Sequence, residues 1–317
     1  MGEEEEVKTA FLFPGQGSQY VGMGRDLHGV SPEVQEVFRQ ADDILGIELS
    51  ELAFHGPGEK LMLTEYAQPA ILTVSYALLT LLRKEGIEPR FVAGHSLGEY
   101  TALVAAGTLT FEEALKLVRR RGILMEEAVP AGQGTMAAVL GVDLEKVEAV
   151  CQEVSSSNVV EVANINSPGQ VVISGSKEGV LSAINAFRRD GARKVIPLAV
   201  SGPFHSSLMQ PVAQTFEEDL DQATFRDPRV PVVCNVGASL VKKKEQVRDL
   251  LARQIYSRVE WEPSMRKLLS LGVSRFIEVG PGRVLTSLMK KIDKEAVVHY
   301  VEDGPSLEKL VQQGGKG

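Results

Sequence analysis

The run Gly94-His95-Ser96-Leu97-Gly98 carries the pattern Gly-x-Ser-x-Gly. The apolar residues Phe91-Val92-Ala93 precede it, and the small-residue stretch Tyr100-Thr101-Ala102-Leu103-Val104-Ala105-Ala106 follows. A strand that reverses into a helix over so few residues strains the backbone at the serine and needs neighbours without side chains. The strain lifts the hydroxyl clear of a sheet, where a substrate carbonyl can reach it. The helix start leaves the N–H of Leu97 unpaired and aimed at the place where an oxyanion forms. Gly-x-Ser-x-Gly is short enough to arise by chance. The strand–turn–helix setting is what makes Ser96 a candidate nucleophile.

A serine hydroxyl needs a base, and histidine titrates in the useful range. The chain has five histidines. His95 adjoins Ser96, so its side chain points away from the hydroxyl. His28 and His55 fall in polar stretches expected to be loops, and His299 sits in the apolar run Val297-Val298-His299-Tyr300 as a strand histidine. Elimination leaves His205, downstream of the serine in the turn-rich Ser201-Gly202-Pro203-Phe204-His205-Ser206. No acid to orient it is evident. Asp219, Asp221 and Asp227 read as solvated, so a backbone carbonyl or an amide side chain would hold the imidazole in a dyad.

Arg119-Arg120-Arg121 precede Gly122. Three consecutive arginines cannot share one helix face, and a solvated basic face accounts for at least two of them. Arg121 adjoins the glycine, whose missing side chain would leave room for a ligand beside the guanidinium. The Gly-rich turn Pro14-Gly15-Gln16-Gly17-Ser18 follows the first apolar strand and lacks the dinucleotide spacing Gly-x-Gly-x-x-Gly. The alternative is that this loop turns a backbone N–H toward the Ser96 turn.

The elements that position these residues alternate. Val7–Phe13 reads as a strand and Ser31–Leu45 as a helix capped by Ser31. Leu61–Thr64 and Ala67–Glu85 also read as helical, the latter opened by Gln68-Pro69, and the Phe91 strand follows. This order implies a parallel sheet covered on both faces. Phe111–Ala128 is an amphipathic helix. From Ala131 the order becomes β-α-β-β-α-β, with strands at Thr135–Leu140, Val159–Ala163, Gln170–Ser174 and Arg193–Leu198 and a loop at Asn164–Gly169. That is the ferredoxin-like pattern. The expectation is an α/β fold in which an α/β-hydrolase-like domain (7–130 and 199–305) carries a ferredoxin-like insert (131–198), with 306–317 a tail whose end, Gln312–Gly317, is disordered.

The chain has 317 residues, 44% of them hydrophobic, and a formal charge of −8. It is long enough for a full core. Its mixed charge disfavours nucleic acid, and the acidic start Glu3–Glu6 reads as a solvated tail. No apolar stretch is long enough to span a bilayer, which argues against a membrane partner. Cys151 and Cys234 have no metal-like spacing and fit a reducing compartment, so a cytoplasmic location is expected.

Together these residues resemble the malonyl-CoA:acyl carrier protein transacylases, from about Thr9 to about Tyr300. The carrying pieces are Phe13-Pro14-Gly15-Gln16-Gly17-Ser18-Gln19, Gly94–Tyr100, Arg121-Gly122 with Met125, Ala163–Gln170, Phe204-His205 and Glu278-Val279-Gly280-Pro281-Gly282. The resemblance implies Ser96 as nucleophile, His205 as base, and the N–H groups of Gln16 and Leu97 as oxyanion donors. It implies that Arg121 pairs with the malonyl carboxylate and that Gln254 lines the site and lends its carbonyl to the histidine. Asn164, Asn166 and Met125 join the binding cleft, and Phe204 is similar to the residue of malonyl-selecting members. The implied reaction is ping-pong transfer from malonyl-CoA to the phosphopantetheine thiol of acyl carrier protein in fatty acid biosynthesis. It would need no metal or resident cofactor, and a monomer would suffice. Two other readings stay open on the residues alone: a serine hydrolase that hands the acyl group to water, and a non-catalytic subunit that binds carrier protein.

Overall fold

Residues 7–130, 132–191 and 194–313 are described by the computed structural model. The acidic start Glu3–Glu6, the expected domain boundary at Ala131, the expected strand start at Arg193 and the end of the expected tail, 314–317, lie outside the described residues. The first strand, β1 (Lys8–Phe13), is buried from Thr9 onward. Three short helices follow: α1 (Pro32–Leu45), α2 (Leu49–His55) and α3 (Gly58–Met62). Ser31 caps α1, its hydroxyl accepting the Val34 N–H. The long α4 (Thr64–Lys84) begins earlier than Gln68-Pro69 suggests, and Pro69 lies inside it. Proline has no N–H to offer the carbonyl four residues back. The Arg119 guanidinium fills that gap, donating to the Glu65 carbonyl at 2.6 Å.

Strand β2 (Phe91–Gly94), α5 (Gly98–Ala105) and α6 (Phe111–Glu127) come next. Thr110 and Glu113 close a capping box at the start of α6, which fixes where its arginines point. The second sheet is built from β3 (Gly134–Leu140), α7 (Leu144–Ser155), β4 (Val160–Ser167), β5 (Gln170–Ser176), α8 (Lys177–Arg189) and β6 (Lys194–Pro197). The expected loop at Asn164–Gly169 is corrected here. The strand continues to Ser167, and Pro168-Gly169 alone make the turn. Backbone pairing to Val259 on the open edge, through Ala163 and Ile165, keeps the segment extended.

The chain then adds α9 (Gln210–Gln222), β7 (Val232–Cys234), the unforeseen β8 (Ser239–Val241), α10 (Val247–Gln254) and α11 (Trp261–Ser270). It ends with β9 (Val273–Val279), α12 (Val284–Ile292), β10 (Val297–Val301) and α13 (Gly304–Gln312). The expectation of a tail from 306 is corrected. Asp303 caps α13 in a capping box, and Leu307 and Leu310 are buried against the large sheet.

Among the described residues the large sheet has the order β10-β9-β1-β2-β7-β8, parallel except for β8, and the small one the antiparallel order β4-β5-β3-β6. Apolar alternation splits the small sheet. Ala137 and Val139 pack under α7 and α8, while Met136 on the opposite face joins the main core. In the large sheet, β1 and β2 run in register to the pair Phe13↔Gly94. The Gly-rich loop and the Ser96 turn therefore leave the same edge side by side, at the carboxyl ends of the central strands where α/β sheets place their sites.

Candidate active site

The turn after β2 holds Ser96 at φ +50°, in the left-handed region that a serine rarely adopts. Both flanking glycines are required. A Cβ on Gly94 would lie 1.9 Å from the Gly98 carbonyl carbon, and one on Gly98 would lie 2.0 Å from the Phe13 carbonyl oxygen. The strained turn is held from behind by side chains. Asn235 accepts the Ser96 N–H at 2.7 Å on Oδ1 and donates from Nδ2 to the Gly94 carbonyl at 2.7 Å. Gln254 Nε2 donates to the Ser96 carbonyl at 3.0 Å. Asn235 is itself fixed, its backbone N–H donating at 2.7 Å to the buried Glu99 carboxylate. Burial pushes Glu99 up to about 7.

Ser96 Oγ lies 2.7 Å from His205 Nε2, and His205 Nδ1 lies 2.8 Å from the main-chain carbonyl of Gln254. A carbonyl only accepts, so Nδ1 carries the proton and Nε2 is left to receive the hydroxyl hydrogen. His205 also has a left-handed backbone, φ +59°, which aims the ring across the cleft. Burial first, and the Arg121 charge second, push its pKa down to about 3. The imidazole is therefore neutral at ordinary pH. The three candidate acids are engaged elsewhere: Asp219 with Arg120, Asp221 with Arg248 and Asp227 with Lys243.

The arginines part as the helical period requires. Arg119 pairs with Glu65 and Arg120 with Asp219. Arg121 is buried, with Nη1 donating to Gln68 Oε1 at 2.9 Å and Nη2 to Gln254 Oε1 at 3.0 Å and Ser96 Oγ at 3.1 Å. The reason given for Arg121 from sequence is corrected. A Cβ on Gly122 would meet Glu65 Cα at 2.8 Å, so this glycine lets α6 approach α4 and opens no space for a ligand.

Among the described residues the N–H groups of Gln16 and Leu97 have no hydrogen-bond acceptor. A cavity of about 300 Å³ is lined by Gln16, Ser96, Arg121, Met125, Phe204 and His205, with Asn164 on the wall from the small sheet. Leu97 and Gln254 are buried behind it. Asn166 instead lines an adjoining space of about 180 Å³, where its Oδ1 pairs with His95 Nε2 at 2.9 Å. His95 thus points away from the serine hydroxyl, as its place in sequence implies. His28 and His55 are not in loops: His28 packs on Phe38 and Phe54, and His55 ends α2 beside Glu51.

Sequence reasoning missed Asn235, Gln68 and Glu99. A signal existed for the first, a polar residue closing the apolar run Val232-Val233-Cys234. Gln68 was a polar residue within an otherwise apolar helix, and Glu99 an acid in the small-residue helix after Ser96. Among the described residues no group of histidine, cysteine and carboxylate side chains has the proximity to hold a metal ion.

The profile of the acyl transferase domain family matches residues 10–310. The sequence is similar to the malonyl CoA-acyl carrier protein transacylase of Bacillus subtilis, 48% identical over 306 residues covering 96% of each chain. The fold is similar to the crystal structure of MCAT from Streptococcus pneumoniae (TM-score 0.93, 46% identity, covering 96% of this chain and 100% of that one). It is also similar to a malonyl-transacylase solved in complex with its type II polyketide synthase acyl-carrier protein (TM-score 0.94, 42% identity, covering 97% of this chain and 100% of that one).

Proposed function

The chain belongs to the acyl transferase domain family, and we propose that it moves a malonyl group from coenzyme A to the phosphopantetheine thiol of acyl carrier protein through a malonyl ester on Ser96. The observation that carries this reading is the buried guanidinium of Arg121 within 3.1 Å of the hydroxyl that itself contacts His205. A plain esterase site has no use for a buried cation beside its nucleophile. A donor whose acyl group ends in a carboxylate does.

In the first half-reaction the Ser96 hydroxyl gives its proton to His205 Nε2 while Oγ bonds to the thioester carbon. The carbonyl electron pair moves onto oxygen, between the N–H groups of Gln16 and Leu97. Collapse breaks the C–S bond, and the thiol leaves with the proton from His205. The second half runs in reverse with the carrier thiol. Gln254 holds the histidine through its main-chain carbonyl, in place of the acid of a triad. Arg121 pairs with the malonyl carboxylate through two hydrogen bonds, and Met125, Phe204 and Asn164 shape the cleft, while Asn166 stands behind it holding His95. Serine, imidazole and backbone donors cover every charge that develops, so the mechanism calls for no metal or resident cofactor.

We read the large unit (7–130 and 199–305, extended through α13) as α/β-hydrolase-like and the insert (131–198) as ferredoxin-like. The strand–turn–helix at Ser96 and the antiparallel order of the small sheet support this. One chain supplies every group, in keeping with a monomer. The free cysteines Cys151 and Cys234 fit a cytoplasmic enzyme of fatty acid biosynthesis. Arg121→Ala tests the reading. It is expected to lose malonyl loading far more than acetyl loading, and equal losses would remove Arg121 from carboxylate recognition.

A further inference from the structure

The acceptors around Arg121 do not match its charge. Its three hydrogen bonds go to neutral atoms, Gln68 Oε1, Gln254 Oε1 and Ser96 Oγ. Its buried Nε has no acceptor among the described residues. The acid beneath it, Glu99, accepts the Asn235 N–H on one oxygen and has no partner among the described residues on the other, and burial raises it to about 7, so near neutral pH it supplies only part of a compensating charge. The aromatic face of Tyr100, 5.7 Å away, is the remaining electron-rich neighbour. A cation in this state sits against the hydroxyl that must give its proton to His205.

We propose that Arg121 restrains the Ser96–His205 pair until a carboxylate on the acyl donor covers the guanidinium, so that the dicarboxylic donor itself makes His205 a working base. The proposal rests on the transacylase reading and adds regulation to that site. The charge count explains it. When the Ser96 proton moves to Nε2 and Oγ bonds to the thioester carbon, an imidazolium and an oxyanion form together. The oxyanion is held by the Gln16 and Leu97 N–H groups. With an acetyl donor the imidazolium then faces an uncompensated guanidinium across one serine oxygen. With a malonyl donor the carboxylate cancels that guanidinium, and the imidazolium forms beside a neutral pair.

The groups facing His205 are Arg121 from α6, His95 from the Ser96 turn, and the Gln254 and Ser257 backbone at the end of α10, with Glu99 of α5 deeper. Arg121 and His95 both disfavour the imidazolium, and Arg121 is the larger. Discrimination between donors therefore enters the maximal rate of acylation and not only the concentration needed to reach it.

The test separates the carboxylate from the donor. Ser96 acylation by saturating acetyl-CoA is followed by rapid quench and intact mass, with sodium formate added and sodium chloride as the ionic-strength control. Formate can occupy the place beside Arg121 that an acetyl group leaves empty. The expected result is a saturable rise in the maximal acetyl-loading rate of up to about tenfold for each pKa unit that the base regains. The acid limb of that rate should move to higher pH, and Arg121→Met should show neither change. Gln68→Glu, which places a carboxylate where Nη1 now donates, should load acetyl faster than wild type without formate. The proposal is overturned if malonyl-CoA loads Ser96 normally while formate leaves the maximal acetyl rate unchanged or lowers it. It is also overturned if Arg121→Met responds to formate as the wild type does. Failure of malonyl-CoA itself to load Ser96 would instead strike the transacylase reading.

Discussion

Replacing Asn235 by alanine removes both clamps on the strained Ser96 turn. The Ser96 N–H and the Gly94 carbonyl each lose a 2.7 Å partner. Each buried group left unsatisfied costs about 1–3 kcal/mol, so a turn that kept its geometry would lose about 2–6 kcal/mol of stability. The turn has a second option. A serine at φ +50° stores about 1–3 kcal/mol of strain. Without Asn235 it can relax toward an ordinary conformation and carry Oγ away from His205 Nε2. Each 1.4 kcal/mol is a factor of ten, so relaxation of that size lowers the reactive population by about 5- to 150-fold. The two outcomes share one cause, and the loss divides between them. The assay pairs urea unfolding with the rapid-quench rate of Ser96 malonylation at saturating malonyl-CoA. The variant is expected to lose at least about 2 kcal/mol of stability, or at least about fivefold in acylation rate, or part of each. Wild-type stability together with a wild-type acylation rate would refute the view that Asn235 holds the nucleophile.

Two further outcomes follow from buried groups. His205 stays neutral in the folded protein down to about 3, against an ordinary value of 6.5. Between those values the unfolded chain binds the extra proton, so stability is full above 6.5 and is lost as pH falls, at about 1.4 kcal/mol per pH unit. His205→Gln should have a shallower stability–pH curve over that window by this amount, measured by urea unfolding at several pH values, and parallel curves would contradict the depressed pKa. Leu310, 2% exposed on α13, should cost about 2–5 kcal/mol when cut to alanine. A change near zero in thermal or urea unfolding would return residues 306–312 to the status of a tail.

The parts legible in the sequence are those whose physics is local. Glycines without room for a Cβ mark the Ser96 turn, Ser31 marks a helix start, and apolar alternation gives the small sheet its strand order along the chain. Elimination points to His205 because few histidines have to be sorted, and its Nε2 lies 2.7 Å from Ser96 Oγ. The misreadings come from contacts that a one-dimensional pattern does not carry. Asn164–Ser167 looks like a loop because it is polar, yet Val259 pairs with its edge and keeps it extended. Pro69 looks like a helix start, yet Arg119 from a distant helix satisfies the carbonyl it abandons. Gly122 suggested ligand space, yet the α4 backbone fills it. Asn235 and Gln254 act through the backbone of Ser96 from 139 and 158 residues away, and no spacing rule connects them to it.

The central claim is that Ser96 accepts a malonyl group and passes it to a carrier thiol. Intact mass spectrometry tests it in two steps: malonyl-CoA alone, then acyl carrier protein bearing its phosphopantetheine arm. The predicted result is a malonyl adduct mapped to Ser96, absent in Ser96→Ala, which disappears as the carrier gains the same mass. Release of free malonate with no gain on the carrier, or an adduct that persists in Ser96→Ala, would contradict it.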